Sequence, residues 1–153
     1  MSVVERRTPA TPNEVWSVLA DGWTFGSWVV GASRVRAVDN AWPVRGSRVY
    51  HSVGTWPAVL DDDTSVEAVE PERRIVMTAR TRPVGEARVE ITLHPEGEDT
   101  LIRMTEDFVR GPAMVVPEPV RQLAIRQRNR ETLHRLALLA ERLDDPQTDR
   151  KRS

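Results

Sequence analysis

Four residues could carry chemistry by their type and position: Glu106, His51, Tyr50 and Asn129. In residues 101–108, Ile102, Met104 and Phe108 recur with a period of two, and that alternation places Glu106 on their side of a strand. A carboxylate among apolar side chains is costly unless it is paired. Held there, Glu106 is the candidate general acid or base, or the contact that orients a polar group of a ligand. The plainer reading is a partly buried carboxylate satisfied near the cavity mouth by an Arg of the helix that follows, such as Arg126 or Arg130. His51 alternates with Val49 and Val53, which points its imidazole inward. Arg48, Tyr50 and Ser52 form the opposite face, and an inward Tyr50 with an outward His51 is the competing assignment. Asn129 lies on the apolar stripe of a long helix, where it either hydrogen-bonds a ligand carbonyl or caps a loop.

Other chemistries have no support in the sequence. There are no cysteines, so disulfides, thiolate metal sites and thiol nucleophiles are excluded. No two His residues have metal-ligand spacing, and Asp61, Asp62 and Asp63 lack the alternation of a calcium loop. The expectation is no metal, with the acidic run in a solvated loop. Nucleophile-elbow, phosphate-loop and dinucleotide fingerprints are missing, so no cofactor is expected and catalysis would be acid–base work on a bound substrate. The formal charge of −1 gives no support to nucleic-acid or membrane-surface binding. No apolar run reaches the roughly 20 residues of a membrane span, and MSVVERR has no signal-peptide core; the expectation is a soluble cytoplasmic protein.

The elements that must position these residues follow from period and punctuation. A short strand at residues 3–8 leads into Thr11-Pro12-Asn13-Glu14, a capping box with Pro at the first helical position. Val15, Trp16, Val18 and Leu19 give that helix a buried face, and Asp21-Gly22 ends it. Phe25, Trp28 and Val29 predict a second short helix within residues 23–31, with Trp28 turned inward. Strands are then expected at 33–39, 47–53, 64–69, 73–81, 87–93 and 101–108. Loops at 40–46 and 54–63 hold Trp42-Pro43 and Trp56-Pro57. Residues 117–143 form one long helix, with Asn129, Leu133, Leu136, Ala137, Ala140 and Leu143 along one stripe. Arg126, Gln127, Arg128, Asn129 and Arg130 interrupt the apolar character of the stripe near its middle. Its C-terminal half is therefore read as packed on a core and its N-terminal half as roofing a cavity. Domain and tail divide as 1–143 and 144–153, the tail polar and disordered.

An antiparallel meander has one face to bury and here a single long helix to bury it, so the sheet must curl around that helix. The order of elements, TPNEVWSVLAD at 11–21, Trp28 with Gly31, the Trp42-Pro43 and Gly46 loop, Val66 through Pro71-Glu72-Arg73, and RNRETLHRLALLAE at 128–141 together resemble the START-like superfamily. That superfamily is also called SRPBCC, or polyketide cyclase/dehydrase-like. The resemblance covers residues 2–143 and implies an α+β helix-grip fold with a mainly apolar cavity for lipids, polyketides or other small hydrophobic ligands. It does not imply a reaction.

Trp28, Trp56, Met77, Val89, Ile91, Met104 and Phe108 are the expected apolar lining, with Glu106 and Asn129 as polar contacts and His51 or Tyr50 as a further anchor. Three readings follow. The first is a carrier or receptor for a small hydrophobic molecule. The second is a cyclase- or dehydratase-type enzyme in which Glu106, with His51 or Tyr50, moves protons. The third is an interaction module or homodimer that docks through the Trp42 and Trp56 loops.

Overall fold

Thr11 starts the first helix by the reciprocal bonding its sequence predicts. Its hydroxyl accepts from the Glu14 N–H at 3.2 Å, and the Glu14 carboxylate accepts from the Thr11 N–H at 2.9 Å. The computed structural model describes residues 1–53, 60–81 and 83–143. In chain order the elements are β1 (Ser2–Thr8), α1 (Pro12–Leu19), a 3₁₀ turn (Gly22–Thr24), α2 (Phe25–Trp28), β2 (Ala32–Val38), β3 (Arg48–Val53), β4 (Leu60–Glu70), β5 (Arg74–Thr81), β6 (Gly85–Glu96), β7 (Asp99–Arg110), a second 3₁₀ turn (Pro112–Val115) and α3 (Glu118–Arg142). Trp56, Pro57 and the 144–153 tail lie outside the described residues.

The seven strands form one antiparallel sheet in the order β1-β7-β6-β5-β4-β3-β2. All neighbours but one are consecutive in sequence; β1 returns to pair with β7. Register shifts interrupt β2–β3, β4–β5 and β6–β7. Each such irregularity adds local twist, and a sheet that twists repeatedly in one sense curls. The sheet stays open, with β1 and β2 as its edges, and α3 lies in its concave side.

The two halves of α3 differ as the interrupted stripe predicts. Leu133, Leu136, Ala137 and Ala140 are fully buried, whereas Val120 and Leu123 in the first turns are 60% and 58% exposed. Leu143, counted in the stripe, ends up exposed just past the helix. Thr8 donates to the Glu141 carboxylate at 2.7 Å, which ties the C-terminal half of α3 to the first strand.

At the other end, Gly85 and Gly111 bring the start of β6 and the exit of β7 into backbone contact. A Cβ on Gly85 would lie 2.0 Å from the Arg110 carbonyl oxygen, and one on Gly111 2.4 Å from the Gly85 Cα. Both glycines also have positive φ, at 141° and 100°, a region costly for side-chain-bearing residues. The chain leaves this crossing to begin α3.

Two sequence expectations need correction. The acidic run is part of β4 and not a solvated loop: Asp62 and Asp63 are buried, and Asp63 sits between Arg48 at 3.0 Å and Arg80 at 2.9 Å. β4 lies between β3, which brings Arg48, and β5, which brings Arg80, and composition alone does not show either neighbour. Trp42 is buried as well, its indole N–H donating to the Leu19 carbonyl at 3.1 Å, so it offers no exposed docking surface. Among the described residues, no helix is long and apolar enough to cross a membrane.

Candidate functional site

Curl of the sheet and the polar middle of α3 leave a cavity of about 80 Å³ between them. Its walls come from every layer of the fold. Phe25 and Trp28 of α2 form one side, and His51, Thr64, Met77, Val89, Met104, Glu106 and Phe108 project from successive strands. Arg128, Asn129 and Thr132 of α3 close it. The α3 roof is thus narrower than its N-terminal half; residues 118–124 run past the cavity.

Alternation on β7 brings Glu106 inside, where it is 2% exposed. Its partner is Arg128, not Arg126 or Arg130, both of which face solvent. The Arg128 guanidinium donates to both carboxylate oxygens, and the Asn129 amide donates to Oε2 at 2.8 Å. Successive helix positions point about 100° apart. Asn129 therefore faces straight into the cavity, while Arg128 approaches from the flank with 39% of its side chain exposed. A buried carboxylate is tolerated because a charge-matched donor and a neutral amide together replace its water.

The two-way reading of β3 resolves toward His51. It is buried, its Nε2 lies 2.9 Å from Thr64 Oγ1, and its ring stacks on Phe25 at 5.1 Å with 22° between planes. Tyr50 does not line the cavity: as His51 turns in, its neighbour turns to the outer face. Burial pulls the His51 pKa below its usual 6.5, outweighing the upward pull of Asp62 and Asp63, with Arg36 adding a smaller downward effect. The imidazole is consequently neutral at pH 7 and can both donate and accept.

Trp28, Met77, Val89, Met104, Phe108 and Asn129 lie on the cavity wall. Ile91 does not. It is fully buried in the solid core, paired with Ile75 and Met104 farther from the mouth. Trp56 is outside the described residues. Sequence reasoning missed Phe25, Thr64, Ala79, Ala87, Arg128 and Thr132. Phe25 stands three residues before Trp28, a helical spacing that could have placed both on one face. Thr64 shares the period of Val66, and Ala87 that of Val89. Thr132 had a weaker signal; its hydroxyl accepts from the Val30 N–H at 3.2 Å, linking α3 to the turn after α2.

Chemically, the site is an apolar chamber with a neutral imidazole on one wall and a compensated carboxylate on another. Both oxygens of Glu106 already accept hydrogen bonds, which suits it to orienting a group more than to taking a proton. Dispersion and burial of apolar surface would supply most of the affinity for a guest, at about 25 cal/mol per Å² before ordering costs.

Known proteins share this architecture. The aromatase/cyclase Zhui from Streptomyces sp. R1128 superposes with a TM-score of 0.71 at 19% identity, over 94% of this chain and 94% of that one. Protein NE0264 from Nitrosomonas europaea gives 0.69 at 18% identity over 92% and 93%. CalU16 from Micromonospora echinospora gives 0.61 at 18% identity over 97% and 78%. At these identities the likeness shows the fold alone. A search of curated proteins finds no match. The family model described as "Polyketide cyclase / dehydrase and lipid transport" matches residues 2–141. With the curled sheet, the gripped helix and nearly the whole sequence agreeing, the chain belongs to that polyketide cyclase/dehydrase and lipid transport family, within the START-like superfamily.

Proposed function

We propose that the protein binds a small hydrophobic molecule in the chamber between the sheet and α3. The observation that carries this reading is the chamber itself, where Phe25, Trp28, Met77, Val89, Met104 and Phe108 surround space that close-packed interiors normally fill. The near balance of charge supports a small-molecule partner over a nucleic acid. Native mass spectrometry of protein purified from its own host tests the proposal: a co-purified small molecule is expected. An apo mass throughout, with no tryptophan fluorescence response to a panel of hydrophobic compounds, would remove it. A cytoplasmic setting is part of the proposal, and fractionation of the host checks it.

A second reading is favoured by one observation. His51 is inward and neutral and has a ring nitrogen to spare, as an acid–base residue of a cyclase-type enzyme would. The structural likeness to an aromatase/cyclase supports considering it. In that reading His51 moves the proton and Glu106 orients the substrate. Unchanged turnover of a polyketide-like substrate in both His51→Gln and Glu106→Gln would dismiss it.

A further inference from the structure

Two side chains of the chamber wall each carry a buried polar atom with no hydrogen-bond partner among the described residues, Nε1 in Trp28 and Nδ1 in His51. Both side chains are almost completely buried, and both rings are held in place. Phe25 lies between them, edge-on to Trp28 at 5.4 Å and stacked on His51 at 5.1 Å. His51 is further tied through Nε2 to Thr64, which leaves Nδ1 as its unused atom. An indole N–H can only donate, and a buried donor without an acceptor is destabilising. The carboxylate on the wall is different, because Glu106 is already engaged by Arg128 and Asn129.

Charge narrows the choice of guest. Arg128 is the only Arg or Lys among the described lining residues, and Glu106 already matches its charge. Beside His51, Asp62 occupies the directly paired position on β4 and is itself buried. An anion entering this chamber would lose its water, find no unmatched cation and approach a buried carboxylate. A neutral oxygen incurs none of these costs and gives the Trp28 N–H an acceptor.

We propose that the chamber selects an uncharged, oxygenated apolar molecule, such as an aryl ketone or a phenol, whose oxygen accepts from the Trp28 indole N–H, and that it discriminates against carboxylates of the same shape. This deepens the ligand-binding reading above and rests on it. A ligand hydroxyl would also serve Nδ1 of His51, since a hydroxyl can donate or accept as the imidazole tautomer requires. Fatty-acid-like guests are disfavoured by the same arrangement.

The test uses three compounds of nearly equal shape: ethylbenzene, acetophenone and benzoate, the last ionised at about pH 7.5. Each is titrated into the full-length ¹⁵N-labelled protein while the indole N–H resonances are followed, with Trp28 assigned from the Trp28→Phe variant. Acetophenone is expected to bind about tenfold tighter than ethylbenzene and to move the Trp28 indole proton downfield, with benzoate weakest. In Trp28→Phe the acetophenone advantage should vanish while ethylbenzene binding persists. Should that variant not fold, Trp28 is assigned from triple-resonance spectra of the native protein, and its indole shift still decides the matter. If ethylbenzene binds and acetophenone binds no better, or benzoate binds best, the selectivity is overturned and the apolar chamber stands. If none of the three perturbs any chamber resonance, the selectivity and the ligand-binding reading fall together.

Discussion

Arg128 of α3 and Glu106 of β7 meet across the cavity mouth, one half-exposed and the other sealed from solvent. The asymmetry decides what each substitution should do. Arg128→Ala leaves a buried carboxylate with only the Asn129 amide as a donor. It should destabilise the protein by about 1–3 kcal/mol, less than a fully buried pair because Arg128 retains solvent. The double variant Glu106→Leu/Arg128→Leu removes the orphan and should be less destabilised than Arg128→Ala alone. Urea unfolding of the two would measure this, and equal losses would show that the carboxylate is not dependent on Arg128.

His51 sets a pH dependence with a defined sign. Burial lowers its folded pKa below the unfolded value of 6.5, so on acidification the unfolded chain takes up the proton first. More protons bound in the unfolded state means that stability rises with pH. The contribution is complete above about pH 6.5 and is lost as pH falls toward the folded pKa. Thermal melts between about pH 5 and pH 8 should show a steeper acid-side loss in the native protein than in His51→Gln. Parallel profiles would contradict a buried neutral imidazole.

Ala87 offers a direct probe of the empty space, since it is buried, on the wall, and beside Ala79 on the neighbouring strand. Ala87→Leu should be tolerated within about 1 kcal/mol, because the added atoms enter a void, whereas the same change in a close-packed interior costs about 1–3 kcal/mol. Binding of any hydrophobic guest should fall at least about tenfold. Calorimetric unfolding and a fluorescence titration on one preparation would read both effects.

Thr11→Ala removes one half of the reciprocal cap on α1 and should cost about 1 kcal/mol. Thr11→Ser should recover most of it. A null result for Ala in chemical denaturation would mean that packing of Val15 and Leu19, not the cap, sets the start of the helix.

Much of the architecture was legible because alternation and helical spacing report which way a side chain faces. Glu106 and Asn129 followed from such arithmetic, as did the inward Trp28. Period alone does not say how far along a strand the sheet still touches the core. For that reason Ile91, on the same face as Val89, was expected at the cavity and lies beyond it. Nor does period settle a strand with polar residues on both faces, and the choice between Tyr50 and His51 needed Phe25 and Thr64 to be brought alongside. Partners from distant elements were the least visible. Arg48 and Arg80 pair with Asp63 of the acidic run from the two neighbouring strands, and two helical steps separate Arg128 from each of the two arginines named in its place.

The contact between Gly85 and Gly111 has an implication for how such a protein can diverge. Residues that touch a guest can be exchanged one at a time, each altering what is admitted. The two positions where bare main chain rests on main chain accept no side chain, and α3 takes its departure from them. Preference is therefore free to drift across a lineage while the frame that presents it stays fixed.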